Sequence, residues 1–103
     1  MPQFDVYRNP NSSTNEHIPY LLDLQTDLLE ITKTRVVAPL EMCGTFSVAE
    51  RLMPKFRVEG ISVVMSTPEL AGVGFANLGE PVVSLAHKRQ EIIAALDLLF
   101  SGI

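Results

Sequence analysis

VVSLAHKRQEIIAALDLLFSGI, residues 82–103, is the stretch that decides the fold. Ser84 can cap a helix, and Leu85, Ile92, Leu96 and Leu99 then fall on one face at helical spacing, with Ile93 and Phe100 beside them. Arg89, Gln90, Glu91 and Asp97 occupy the polar positions, and Gly102 supplies a stop. Ile103 lies beyond that stop. Burying an isoleucine is worth about 1.5–3 kcal/mol, and ordering a chain end costs about 1–2 kcal/mol per residue. The two nearly cancel unless a partner contributes, so the leucine face belongs to the core while Ile103 has little to fix it inside.

Everything before this helix reads as short strands and turns. Phe4 and Val6 alternate with Gln3, Asp5 and Tyr7, a half-buried strand. Residues 9–17 are polar, with no apolar anchor before Ile18, and read as a mobile loop. In YLLDLQTDLLE, Leu22 and Leu24 alternate with Asp23 and Gln25; a strand is favoured over a helix, with Asp23 and Gln25 on a solvated face. TRVVAPL is β-branched and ends near Pro39, as a strand that stops or lies at an edge would. Between Gly44 and Pro54 the sequence reads as a loop with one helical turn. KFRVEGISVVMST is a hairpin that turns at Glu59–Gly60. A further short strand falls near 73–76, and Gly79-Glu80-Pro81 breaks the chain before the helix. Strands followed by one helix make a mainly β fold, a small barrel or sheet with a C-terminal α-helix packed on it.

A chain of 103 residues that is 47% hydrophobic suits one domain spanning 1–103 with one core. The single Cys43 permits no internal bridge; with no signal peptide in view, it points to a reducing cytoplasm. No apolar run has the length of a membrane span. Eight scattered Lys and Arg residues and a net charge of -4 argue against a nucleic acid held by its phosphates and for a protein partner. His17 and His87 lack a third metal ligand at any recognisable spacing and read as surface residues. Cys43 has no activating neighbour and reads as a buried, quiet thiol. Asp23, Asp27 and Glu30 could imitate an acidic site, but a solvated face accounts for them. Nothing in the sequence calls for a metal, a cofactor or catalytic residues.

QFDVY, LDLQTDLLE, TRVVAPL and the 82–103 stretch, in that order, together resemble the CcdB family of toxins from plasmid toxin–antitoxin systems. The likeness runs end to end and is weakest over 9–17 and 42–53. It implies an SH3-like β-barrel of the type shared with MazF, and a homodimer. It also implies a poison of DNA gyrase, not an enzyme, that enters the cavity of the gyrase A subunits and traps the cleaved-DNA complex. A CcdA-like antitoxin would neutralise it, and operator DNA would be bound only through the antitoxin complex. By position, the gyrase-binding residues would be Leu28, Leu29, Asp97, Ser101, Gly102 and Ile103. The family has Trp where this chain has Ser101, and Asn where it has Asp97. Losing the Trp forfeits a cation–π contact worth about 0.5–2 kcal/mol.

Two other readings belong to different classes. An mRNA endoribonuclease of the MazF/Kid kind would need Arg35, His17 and Asp23 to converge on RNA. A non-toxic homologue would only capture an antitoxin.

Overall fold

The computed structural model describes residues 2–27, 33–43 and 50–102. Among these residues, seven strands form one antiparallel sheet that curls into a half-barrel: β1 (Asp5–Arg8), β2 (Tyr20–Asp23), β3 (Thr34–Met42), β4 (Lys55–Val58), β5 (Ile61–Met65), β6 (Ala71–Gly74) and β7 (Pro81–Ser84). The order across the sheet is β4-β5-β3-β2-β1-β7, and β6 continues the edge of β3 where β5 leaves it. Helix α1 (Arg89–Ser101) covers the concave side. The chain is thus mainly β with a C-terminal helix, as its sequence implies.

Strand β3 is longer than its sequence suggests and runs straight through Pro39. The register explains why. The amide of Val36 donates to Gln25 Oε1 and that of Met42 to the His17 carbonyl, both on the β2 side, so even-numbered amides of β3 face β2. Pro39, being odd-numbered, faces the other edge, at the junction where β6 (to Val37↔Ala71) gives way to β5 (from Leu40↔Met65). No ladder bond is required of it there, so a central strand tolerates the missing N–H.

The hairpin forms as expected. Glu59 and Gly60 both have positive φ, 52° and 78°, the pair of left-handed residues that a two-residue primed turn requires. At the other edge, β1 and β7 pair with a bulge between Val6 and Tyr7, and Gly79 passes so close to the Arg8 carbonyl that a Cβ would sit 2.6 Å from it. Only glycine fits that crossing.

The core is the concave face: Val6, Tyr20, Leu22, Leu40, Val63 and Met65 from the strands, and Ile92 and Ala95 from α1. Phe4 joins it from outside any strand, with φ of 70° and a ring under the Arg89 guanidinium, 5.6 Å from carbon to centroid. Strand β1 is not half-buried. Tyr7, grouped with the polar set by alternation, is buried on the second face, the face on which Asp23 and Arg35 are buried too.

The helix begins later than its capping signal. Ser84 ends β7, and its Oγ accepts the Ala86 amide to start a 3-10 turn (Ala86–Lys88); α1 follows from Arg89 without a side-chain cap. Residues 9–17 form turns closed by their own bonds: buried Asn9 donates through Nδ2 to Thr14 Oγ1 and the Ile18 carbonyl, and accepts the Asn11 amide. An asparagine does the anchoring that the sequence offers no apolar residue to do.

Candidate functional site

The C-terminal end of α1 presents three of the residues that the sequence singles out. Asp97 and Ser101 lie one helical turn apart and are both exposed. Gly102 adopts φ 72°, ψ 16° and donates its amide to the Leu98 carbonyl, so the chain leaves the helix through a left-handed cap. Leu28, Leu29 and Ile103 lie outside the described residues. Asp27, just before Leu28, accepts the Gln3 amide, and Gln3 in turn meets Arg89 at the first turn of the helix. Arg89 and Ser101 are twelve residues apart, about 18 Å along the axis. Within one chain, Asp27 and the helix tail therefore stand at opposite ends of α1.

Phe100 is the residue that pattern reading misses. It is 71% exposed, the most exposed of the large apolar side chains described. At about 100° per residue it lies roughly 80° round the helix from Ile92 and 140° from Ala95, the two fully buried positions. Leucines mark the stripe in the sequence, but its centre is the small Ala95, which lets the helix backbone approach the sheet. With the stripe centred there, Phe100 moves to its outer rim. Leu96, Leu98 and Leu99 are half-buried beside it. The last turn carries no basic side chain. Asp97 and the helix carbonyls make this end electronegative, so an apolar ring sits in a field that attracts cations.

The second notable cluster is internal. Asp23, expected on a solvated face, is fully buried and paired with Arg35: Nη2 lies 2.8 Å and Nε 2.9 Å from Oδ2. Oδ1 accepts the Gln25 amide, and Arg35 Nη2 also reaches the Gln25 carbonyl. The alternation holds, since Asp23 faces away from Leu22. That face is covered rather than wet. Burial pushes the Asp23 carboxyl above the usual range, against the pull of Arg35 and the Gln25 amide. Arg35 and Asp23 therefore meet, as the endoribonuclease reading needs, but they are 1% and 0% exposed. His17 accepts the Met42 amide at the far end of β3, seven residues from Arg35, or about 23 Å along the strand. The three do not converge on a surface.

Cys43 is exposed, not buried. The concave core ends at Leu40, and β3 runs past it so that Met42 and Cys43 stand at the lip. His17 and His87 are exposed as expected. A groove of about 710 Å³ lies on the convex side, bounded by Asn9, Ile18, Leu21, Pro39, Glu69 and Val73. Among the described residues, no three His, Cys, Asp or Glu side chains gather as a metal site would require. No helix among them is long and apolar enough to cross a membrane.

The architecture is a half-barrel closed by one helix, with an exposed aromatic ring at the helix end. The family model described as CcdB protein matches residues 3–102, and the chain belongs to the CcdB family. That family comprises the gyrase-targeting toxins of toxin–antitoxin systems; they are binding poisons rather than catalysts.

Proposed function

We propose that this chain binds the A subunit of DNA gyrase through the C-terminal end of α1 and traps the enzyme on cleaved DNA. The observation that carries this is Phe100, 71% exposed next to Asp97, Ser101 and Gly102. Ser101 stands where the family has its stacking Trp. Phe100, its neighbour, offers an aromatic face to a cationic side chain of the target, worth about 0.5–2 kcal/mol, and Asp97 draws the same cation. Ile103 extends the proposed surface, and Leu28 and Leu29 join it from the other copy of a homodimer. In a homodimer that pairs the half-buried Leu96 and Leu99, two such ends act together.

The antitoxin of this system is a CcdA-like chain, disordered until bound. The convex groove suits it: Ile18, Leu21 and Val73 accept apolar anchors, and Glu69 at the rim accepts a basic residue. Operator DNA is then contacted by the antitoxin in the complex, which agrees with a toxin of net charge -4. The setting is the cytoplasm.

Expression in cells decides. Killing that disappears when gyrase A carries a cavity substitution is the expected result. Killing that persists in that host refutes the reading, and RNA cleavage by the purified protein would favour the endoribonuclease. Antitoxin binding without killing would mark a non-toxic antitoxin-binding homologue.

A further inference from the structure

Strand β4 is one edge of the sheet, and its free side faces a cleft of about 400 Å³ lined by Lys55, Phe56, Arg57, Leu85, His87 and Lys88. The register says which backbone groups face outward. The Met65 amide donates to the Pro54 carbonyl, and Val58↔Ile61 closes a two-residue turn, so even-numbered residues of β4 spend their groups on β5. The N–H and C=O of Lys55 and Arg57 point away from β5, and among the described residues no backbone partner meets them. Their side chains are exposed, while Phe56 and Val58 turn into the core.

The β7 and β4 edges are defended differently. β7 begins with Pro81 and carries a bulge, both of which spoil strand addition. β4 has neither. Its defence is charge: a second β4 laid against it would set Lys55 and Arg57 beside their own copies. That repels another copy and favours an acidic strand. The cations are available to such a strand. Lys55 and Lys88 stand 3.7 Å from Glu50 and Glu91, with all four side chains largely in water, where such pairs are weak. Across the cleft His87 and Lys88 form the second wall, and Leu85 with Phe56 forms the floor.

We propose that the β4 edge is a docking site for an extended acidic segment of another protein, added as a further antiparallel or parallel strand. Its backbone bonds to Lys55 and Arg57. Alternate side chains are acidic, against Lys55, Arg57 and Lys88, and those between are apolar, toward Leu85 and Phe56. This surface lies apart from the exposed ring at the end of α1 and from the convex groove.

The test uses the full chain, labelled for NMR, at low salt, with a capped hexapeptide of alternating glutamate and valine as probe. The Lys55 and Arg57 amides should shift and gain protection from hydrogen exchange, while those of Phe56 and Val58 stay protected throughout. Lys55→Glu with Arg57→Glu should weaken binding at least about tenfold, from two attractive pairs made repulsive. Lys55→Gln with Arg57→Gln, a milder pair, should weaken it severalfold with the hairpin amides unchanged. Equal binding of the lysine–valine peptide would overturn the proposal. So would displacement of the probe by equimolar inorganic phosphate, which would show a site that reads charge alone. Protection of the Lys55 and Arg57 amides that grows with protein concentration, without peptide, would assign the edge to a second copy and overturn it too.

Discussion

Phe100 carries more exposed apolar surface than a helix end needs, and it does little for the fold. Phe100→Ala should change stability by under about 0.5 kcal/mol, as exposed substitutions do. Affinity for gyrase A should fall about 2- to 30-fold, the span of a lost cation–π contact. Thermal melting and a binding titration on the same variant check both halves. Arg35 is the converse case. Arg35→Met strands the Asp23 carboxylate inside the protein and should cost about 3–5 kcal/mol, whereas Asp23→Leu with Arg35→Met should recover much of it. Urea unfolding of the single and double variants measures the difference.

Glu59 titrates with a definite sign. The Tyr20 hydroxyl donates to its Oε1 at 2.6 Å and Arg8 Nη2 to its Oε2 at 2.8 Å, and these bonds hold its carboxyl below the usual range. A depressed folded value adds stability that is present above the ordinary glutamate range and lost as pH falls through the folded value. Asp23, shifted upward, works the other way: its contribution weakens as pH rises through the window between its ordinary and folded values. Glu59→Gln should therefore flatten the acid limb of a melting-temperature profile and leave the Asp23 trend in place. An unchanged acid limb would mean that the Tyr20–Glu59–Arg8 cluster does not tie the hairpin to β1 and β2.

At the scale of elements, the crossing of Gly79 under Arg8 is the tightest constraint. The Arg8 carbonyl accepts the Gly79 amide at 2.9 Å, and a Cβ would meet the same oxygen at 2.6 Å. Backbone cannot yield as a side-chain end can. Gly79→Ala should destabilise by about 1–3 kcal/mol, as forced overpacking does. Gly72, by contrast, has open space around it and a φ outside the left-handed region, so Gly72→Ala should be close to neutral. Denaturant midpoints of the two variants make the comparison.

For the whole molecule, the half-buried Leu96 and Leu99 leave a helix face that one chain does not fully cover. A homodimer through that face, with Phe100 left free, is expected at micromolar concentration, and sedimentation velocity tests it; a monomer would also remove the pairing of two helix tails on which the gyrase proposal draws.

How much of this was legible beforehand depends on the range of the physics. The hairpin at Glu59–Gly60, the break at Gly79 and the αL exit at Gly102 are local: each needs only a glycine's freedom and its neighbours' pattern, and each was readable from a few residues. The class, strands and then a helix, follows from periodicity alone. Pro39 inside β3, the burial of Tyr7 and Asp23, the exposure of Cys43 and the rim position of Phe100 were not readable. Period-two alternation says that Asp23 and Leu22 face opposite ways, but only the folded chain makes the second side dry, and only Arg35, twelve residues on, makes it affordable. The leucine stripe says that the helix packs, but the depth of the sheet against Ala95 sets its rotation. Local sequence determined which elements form and where they turn; the tertiary structure alone decided which faces meet water, because a face is dry or wet according to what the rest of the chain lays against it.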